Sequence, residues 1–225
     1  MSLVGDQILL AIIGDIIDSK SIKERNQIQI KLNKLLDNIN RDYKKHIVSK
    51  WTITLGDEFQ ALLRPNLELF KMLDYISYKM YPVKIRFGIG LGEILTDINY
   101  KKSIGSDGPA YWRARQAIEL IHENNNYGNS KISFNSEEDD DDLINNLIHY
   151  TDWMKENWTR SQREVLDSLL KKNIYNHEFK QKDLAKDLDI SKSAMSRRIS
   201  SSGIHLYLSS RNSIAQAIVN KGEIK

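Results

Sequence analysis

Residues 8–17, Ile-Leu-Leu-Ala-Ile-Ile-Gly-Asp-Ile-Ile, are apolar at alternate and at intervening positions alike. That pattern predicts a strand covered on both faces. Next, Ser21-Ile22-Lys23-Glu24 has the spacing of a helix-capping box, and Ile28, Leu32, Leu35, Leu36, Ile39 and Tyr43 recur at helical spacing, which predicts a long amphipathic helix. Residues 48–55 alternate, with Trp51, Ile53 and Leu55 on one face and Thr52 and Thr54 on the other. Gly56-Asp57-Glu58 reads as a hairpin turn and residues 59–63 as the return strand. A helix is expected over Leu67–Met80, with Leu69, Phe70, Leu73 and Ile76 inward, and a strand over 83–94 after Pro82. The order strand, helix, hairpin, helix, strand is the βαββαβ, ferredoxin-like arrangement, an α+β fold.

That topology sets the first strand beside the third, in the centre of the sheet. The end of the first strand then meets the hairpin turn, and Asp15 approaches Asp57. Two carboxylates so placed suit one or two hard cations, Mg²⁺ or Mn²⁺, that bridge to phosphate oxygens. A polar turn without a ligand is the alternative for Gly56-Asp57-Glu58.

In the last of these strands Val83, Ile85, Phe87, Ile89 and Leu91 share one face, while Lys84, Arg86, Gly88, Gly90 and Gly92 share the other. Alternate glycines mark close approach, either by a ligand or by a helix or second subunit. The glycine-rich segment 103–115 opens a helix through Ile121, with Lys101, Lys102, Arg113 and Arg115 nearby, an arrangement that suits phosphate. Residues 131–135 read as a short additional strand.

The acidic run at 135–142 reads as a solvated loop and as the boundary between a domain over residues 1–140 and another over 141–225. A helix is expected over Leu143–Trp158, and Thr159-Arg160-Ser161-Gln162 is a capping box for the next, which carries Val165, Leu166, Leu169 and Leu170. In residues 181–199, Leu184, Ala185 and Leu188 form an apolar face, Asp189-Ile190-Ser191 a tight turn and Lys192–Ser200 a second short helix. This is the pattern of a helix-turn-helix, with Ser191, Lys192, Ser193, Ser196, Arg197 and Arg198 facing DNA. A helical module that docks a protein is the alternative. Residues 203–209 are read as a wing strand and Ser213–Val219 as a last helix.

Charge sharpens the division. Residues 151–225 hold 14 Lys+Arg against 9 Asp+Glu, a net of +5; the whole chain is +3, so residues 1–150 carry −2. The basic part suits a polyanion. No cysteine occurs, which excludes disulfides, thiolate catalysis and Cys-ligated zinc and fits a reducing cytoplasm. The five histidines are scattered, with no i,i+3 or i,i+4 pair. The longest early apolar run is about half of the ~20 residues that a membrane span needs, so no membrane partner is expected.

Residues 7–125 carry "AIIGDIIDSK", "TITLGDEFQALL", "RFGIGLGEI" and "IGSDGPAYWRARQAI", segments that resemble the SatD family, and the likeness continues into the helix-turn-helix pattern. The same segments are more distantly similar to the catalytic domains of class III nucleotidyl cyclases and to GGDEF domains. The resemblance implies that Asp15 and Asp57 hold two metal ions, and that the backbone of Ile16, Ile17, Asp18 and Ser19, with Gly56, Arg113 and Arg115, contacts a nucleotide or phosphate. The first strand is apolar on both faces while two helices cover only one sheet face, so the other face needs a cover, either the C-terminal segment or a second subunit; the resemblance implies the second, a homodimer, because cyclases build their sites between two such domains. The chain departs from the cyclases in three places. Asp18-Ser19 stands where a Gly and an aromatic are usual, Trp112 and Gln116 stand near the positions of the phosphate-stabilising Asn and Arg, and no Lys/Asp pair for adenine is found. Three readings follow: a cytoplasmic regulator that binds a metal–nucleotide and DNA, an active two-metal nucleotidyl-transfer enzyme, and a DNA-binding protein whose N-terminal domain only dimerises.

Overall fold

The computed structural model describes residues 7–124 and 130–224. A five-stranded sheet runs in the order β2-β3-β1-β4-β5, with β1 Leu9–Ile16, β2 Ile47–Leu55, β3 Glu58–Leu63, β4 Ile85–Gly92 and β5 Ile132–Asn135. β1 is antiparallel to both β3 and β4, and β5 lies parallel beside β4. The first four strands thus have the ferredoxin-like order, and β5 extends the sheet by one edge.

Burial explains the doubly apolar β1. Leu10, Ile12 and Ile16 join one core with α1 (Arg25–Asp42) and α2 (Leu69–Met80), while Leu9, Ala11 and Ile13 join a second with α3 (Pro109–Asn124). α3 belongs to this same chain and lies on the glycine strip of β4. A Cβ at Gly90 would stand 2.1 Å from the Ala110 carbonyl oxygen, and one at Gly88 would stand 2.2 Å from that of Ala114. The glycines therefore admit a helix backbone, not a ligand. The segment between β4 and α3 closes the rest of that face: Ser49 donates to the Asn99 carbonyl at 2.5 Å, and the buried Ser103 hydroxyl pairs with Tyr111 at 2.6 Å. The expectation that the C-terminal segment or a second subunit covers this face is corrected, because α3 covers it.

Three local expectations change. Ser21 caps no helix; its hydroxyl donates to the Asp18 carbonyl at 2.7 Å within a short 3₁₀ turn, and α1 begins at Arg25. Such local bonds compete with capping. The wing strand at 203–209 is helical. Gly203, at φ 63°, ends α7 (Lys192–Ser202), and α8 (Ile204–Ile224) follows at once. Ile204, Tyr207, Leu208, Arg211, Ile214, Ala215 and Ile218 are buried at helical spacing, so tertiary burial overrides the short alternation, and Ser213–Val219 falls inside this helix. The acidic run is tied down: Lys221 of α8 donates to Glu138 at 2.7 Å and also to Asp140, just before α4 (Asp141–Glu156).

The capping box at Thr159 forms and starts α5 (Arg160–Lys171). α6 (Gln181–Asp187) leads through Asp189, in the left-handed region at φ 49°, to α7. One cluster of buried apolar side chains runs from β1 through α2 and α4 to α8. Inside it lies a polar network. Asp74 of α2 accepts from Lys155 of α4 at 2.7 Å, from Tyr175 at 2.5 Å and from Tyr207 of α8 at 2.6 Å. Arg211, fully buried, donates to Asp152, whose carboxylate also accepts the Lys131 and Ile132 amides at 2.8 and 2.9 Å. Among the described residues no helix is long and apolar enough to cross a membrane.

Candidate functional site

The antiparallel registers place Asp15 directly between Glu58 of β3 and Arg86 of β4. By strand alternation Asp15 follows Leu9, Ala11 and Ile13 onto the α3 face. Arg86 Nε donates to Asp15 Oδ2 at 2.7 Å. Arg115, reaching down from α3, forks onto both oxygens of Glu58 at 2.5 and 2.8 Å. The hairpin turn closes against the same end: the Asp57 carbonyl accepts the Ile16 amide at 3.1 Å, and its carboxylate accepts the Ser19 hydroxyl. Three carboxylates and two guanidinium groups thus meet at one end of the sheet.

Their electrostatics follow from partial burial. Desolvation pushes the Asp15 carboxyl above its ordinary value; Arg86 opposes this, and the negative charges of Asp57 and Glu58 add to it. The hydrogen bonds it donates to Glu58 hold the Arg115 guanidinium above its usual value. Counting full charges, the cluster sums to about −1, which favours a cation accompanied by an anion over an isolated anion.

Of the residues expected here, Asp15, Asp57, Ser19 and Arg115 converge. The Ile16 and Ile17 amides already donate, to the carbonyls of Asp57 at 3.1 Å and Lys84 at 2.9 Å, so they cradle no phosphate in this arrangement. Asp18 occupies the left-handed region at φ 54° and begins the turn. The Gly56 carbonyl accepts from Gln29 at 3.3 Å. Arg113 turns away, donating to the Leu91 carbonyl at 2.7 Å and to Glu137 at 2.6 Å, toward the β5 side. Trp112 donates to Asp107 and Gln116 accepts from Asn135, so neither reaches the cluster. Sequence reasoning missed Glu58 and Arg86 as members. The signal was present: Arg86 shares a face with Gly88, and the strand register pairs it with Asp15.

A divalent cation would be held by Asp15 and Asp57, each with one oxygen engaged by a protein donor and one remaining. The donors are hard oxygens, which suit Mg²⁺ or Mn²⁺. Among the described residues no group of three or more His, Cys, Asp or Glu is close enough to hold a metal alone. Two carboxylates therefore fit an ion that arrives with phosphate oxygens completing its shell. Such an ion would neutralise and polarise the phosphate.

The SatD family profile matches residues 9–218. The chain belongs to the SatD family. No curated protein sequence matches this SatD chain. Among solved structures it is similar to a bacterial light-regulated adenylyl cyclase, at 14% identity over 57% of this chain and 75% of that one, with a TM-score of 0.39. It is similar to a guanylyl cyclase domain of the RhoGC fusion protein from the aquatic fungus Blastocladiella emersonii, at 18% identity over 51% and 74%, with a TM-score of 0.38. A third is the guanylate cyclase domain of RhGC from Catenaria anguillulae in complex with GTP, at 13% identity over 51% and 74%, with a TM-score of 0.37.

The second group of expected site residues in this SatD protein lies on α7. The Ser191 hydroxyl caps the helix, accepting the Ala194 amide at 3.1 Å. Met195 and Ile199 are buried, which turns Lys192, Ser193, Ser196 and Arg197 to solvent. Arg198 is held back, donating to Glu164 of α5 at 3.1 Å. Its neighbour therefore carries the exposed charge of this helix end.

Proposed function

We propose that this SatD protein is a regulator whose sheet end binds a metal–nucleotide or related phosphate ligand and whose α7 contacts DNA. The observation that carries the reading is the meeting of Asp15 and Asp57 across the β1 end and the hairpin turn, with Arg86 and Arg115 in the same cluster. Two carboxylates supply the oxygens for a hard cation that brings its own phosphate, and Arg86 and Arg115, held by Asp15 and Glu58, balance the charge around it. The exposed Lys192, Ser193, Ser196 and Arg197 support the second half of the reading, together with the +5 balance of residues 151–225. A nucleotidyl-transfer enzyme is less well supported, since Arg113, Trp112 and Gln116 lie outside the cluster.

The test is a panel of nucleoside di- and triphosphates titrated into the full chain with Mg²⁺, with Mn²⁺ and with EDTA, read by thermal shift. A ligand at 100 times its Kd adds about 2.7 kcal/mol of apparent stability. A shift that requires metal supports the reading. The absence of any shift across the panel would remove the ligand half, and silence toward duplex DNA at low salt would remove the other.

A further inference from the structure

A cavity lies on the face of the sheet opposite the carboxylate cluster. It occupies about 750 Å³ between the end of α2, the start of β4 and β5 on one side and the end of α4 with α5 on the other. Ile85 and Phe87 form part of its floor, and they alternate along β4 with Arg86, so the cavity is separate from the carboxylate cluster. Its size falls within the range usual for small-molecule sites, roughly 300–1,000 Å³.

The lining combines three chemistries. Tyr81, largely exposed, offers an aromatic ring on one side of the cleft; Trp158 on the other is buried, its indole N–H donating to the Ser202 carbonyl at 2.7 Å and its ring packed edge-on against Tyr207. Cations stand beside them: Lys84 is exposed, and Arg163 lies 5.8 Å from the centre of the Tyr81 ring. Asp167 of α5 completes the wall. Among the described residues no hydrogen bond reaches its carboxylate, although it is partly buried. Burial pushes that carboxyl up to about 6; Lys171 and Arg163 oppose the shift, while Glu164 and Asp74 add to it. The Asp167 oxygens are open to the cleft, where a ligand N–H can replace water as their donor.

We infer that this cleft binds a heteroaromatic anion of the nucleoside monophosphate class, with its anionic group on Lys84 and Arg163, its base against Tyr81, and an N–H of the base donated to Asp167. No metal enters this recognition, because basic side chains and an aromatic face supply it. α5, which carries Asp167 and Arg163, is also bonded to α7 through Glu164–Arg198 at 3.1 Å and Gln162–Ser201 at 3.0 Å. Occupancy of the cleft therefore bears on the helix assigned to DNA. That consequence rests on the DNA reading; the binding itself does not.

The experiment titrates the full chain in EDTA with AMP, GMP, CMP and UMP by calorimetry. At least one of the four binds, Tyr81→Ala and Arg163→Ala each weaken it by about tenfold, Asp167→Asn changes the order of preference among the four bases, and Asp57→Asn binds as the wild type does. Circular dichroism confirms the fold of each variant; should Arg163→Ala unfold, Lys84→Ala, at an exposed position, takes its place. No heat from any of the four at ~1 mM, affinity unmoved by Tyr81→Ala and Arg163→Ala, or binding lost in Asp57→Asn would each overturn the assignment. The last of these would move the ligand to the sheet end, whereas a failure of the metal-dependent titration leaves the cleft untouched.

Discussion

Arg86 Nε donates to Asp15 Oδ2 at 2.7 Å across the β1–β4 ladder, so the neighbouring strand supplies the counter-charge that a metal ion would otherwise supply. Arg86 and a cation on the other oxygen compete for the charge of that carboxylate. Arg86→Gln is expected to tighten Mg²⁺ or Mn²⁺ binding several-fold, measured by calorimetry at pH 8 in the presence of saturating nucleotide. Weaker binding would instead make Arg86 a contact to the ligand.

Proton competition follows from the raised Asp15 carboxyl. Its folded value lies above the unfolded one, so the folded protein holds the proton more tightly, and ionising Asp15 costs stability as pH rises through the folded value. On acidification a metal ion and that proton compete for the carboxylate. Metal-dependent binding is expected to weaken on acidification at a higher pH than an ordinary carboxylate, near 3.9, would set. Affinity that stays flat down to about pH 4 would show that Asp15 does not hold the ion.

Asp57→Asn is expected to abolish the metal-dependent shift while leaving the melting temperature of the free protein within a few degrees. The turn contributes the Ser19 contact and little buried apolar area, and exposed or half-exposed positions of this kind usually change stability by about 0.5 kcal/mol or less. Wild-type binding by the variant would reduce Asp57 to a turn residue.

The buried network should dominate the stability of the fold. Burial pushes the Asp74 carboxyl up, but the charges of Lys155 and Arg211 outweigh it, and the net value lies below the ordinary one. Asp74→Asn would leave Lys155 and Arg211 undercompensated and is expected to cost about 3–5 kcal/mol, read from urea unfolding at pH 7. Tyr207→Phe, which removes one hydrogen bond to the same carboxylate, should cost about 1–3 kcal/mol. Because the folded value is depressed, this stability is present above the unfolded value and is lost as pH falls through the folded one. A Asp74→Asn variant as stable as wild type would show that the network carries none of the fold's stability.

On α7, Arg197→Ala should weaken binding to all duplex DNA and flatten its salt dependence by about one phosphate contact. Arg198→Ala should act differently, loosening α5 from α7 through loss of the Glu164 bond. Fluorescence titration over a salt series separates the two, and equal effects from both would place neither on a phosphate.

Much of the sheet was legible because alternation and helical spacing are local signals. β1 reads as doubly covered from its sequence, and the βαββαβ order then places Asp15 by Asp57 without coordinates. What covers the second face was not legible. The strip of Gly88, Gly90 and Gly92 says only that something approaches closely; that α3 of the same chain does so depends on how the loop before Pro109 returns. Glu58 and Arg86 were hidden for a similar reason, since Glu58 reads as part of the hairpin turn and Arg86 as an ordinary polar strand residue until β3, which begins at Glu58, and its register set them on either side of Asp15. The stretch at 203–209 misled because a short apolar alternation fits a strand as well as one turn and a half of a buried helix.

α3, seated on the glycine strip, also brings Arg115 to the carboxylate cluster from within the same chain. Ser19, Asp15, Asp57, Glu58, Arg86 and Arg115 all come from one chain. Occupancy of such a cluster depends on ligand concentration and not on protein concentration, so dilution does not dismantle it. A damaged copy expressed beside an intact one cannot poison the intact copy's cluster, and loss-of-function changes at these six positions should behave as recessive.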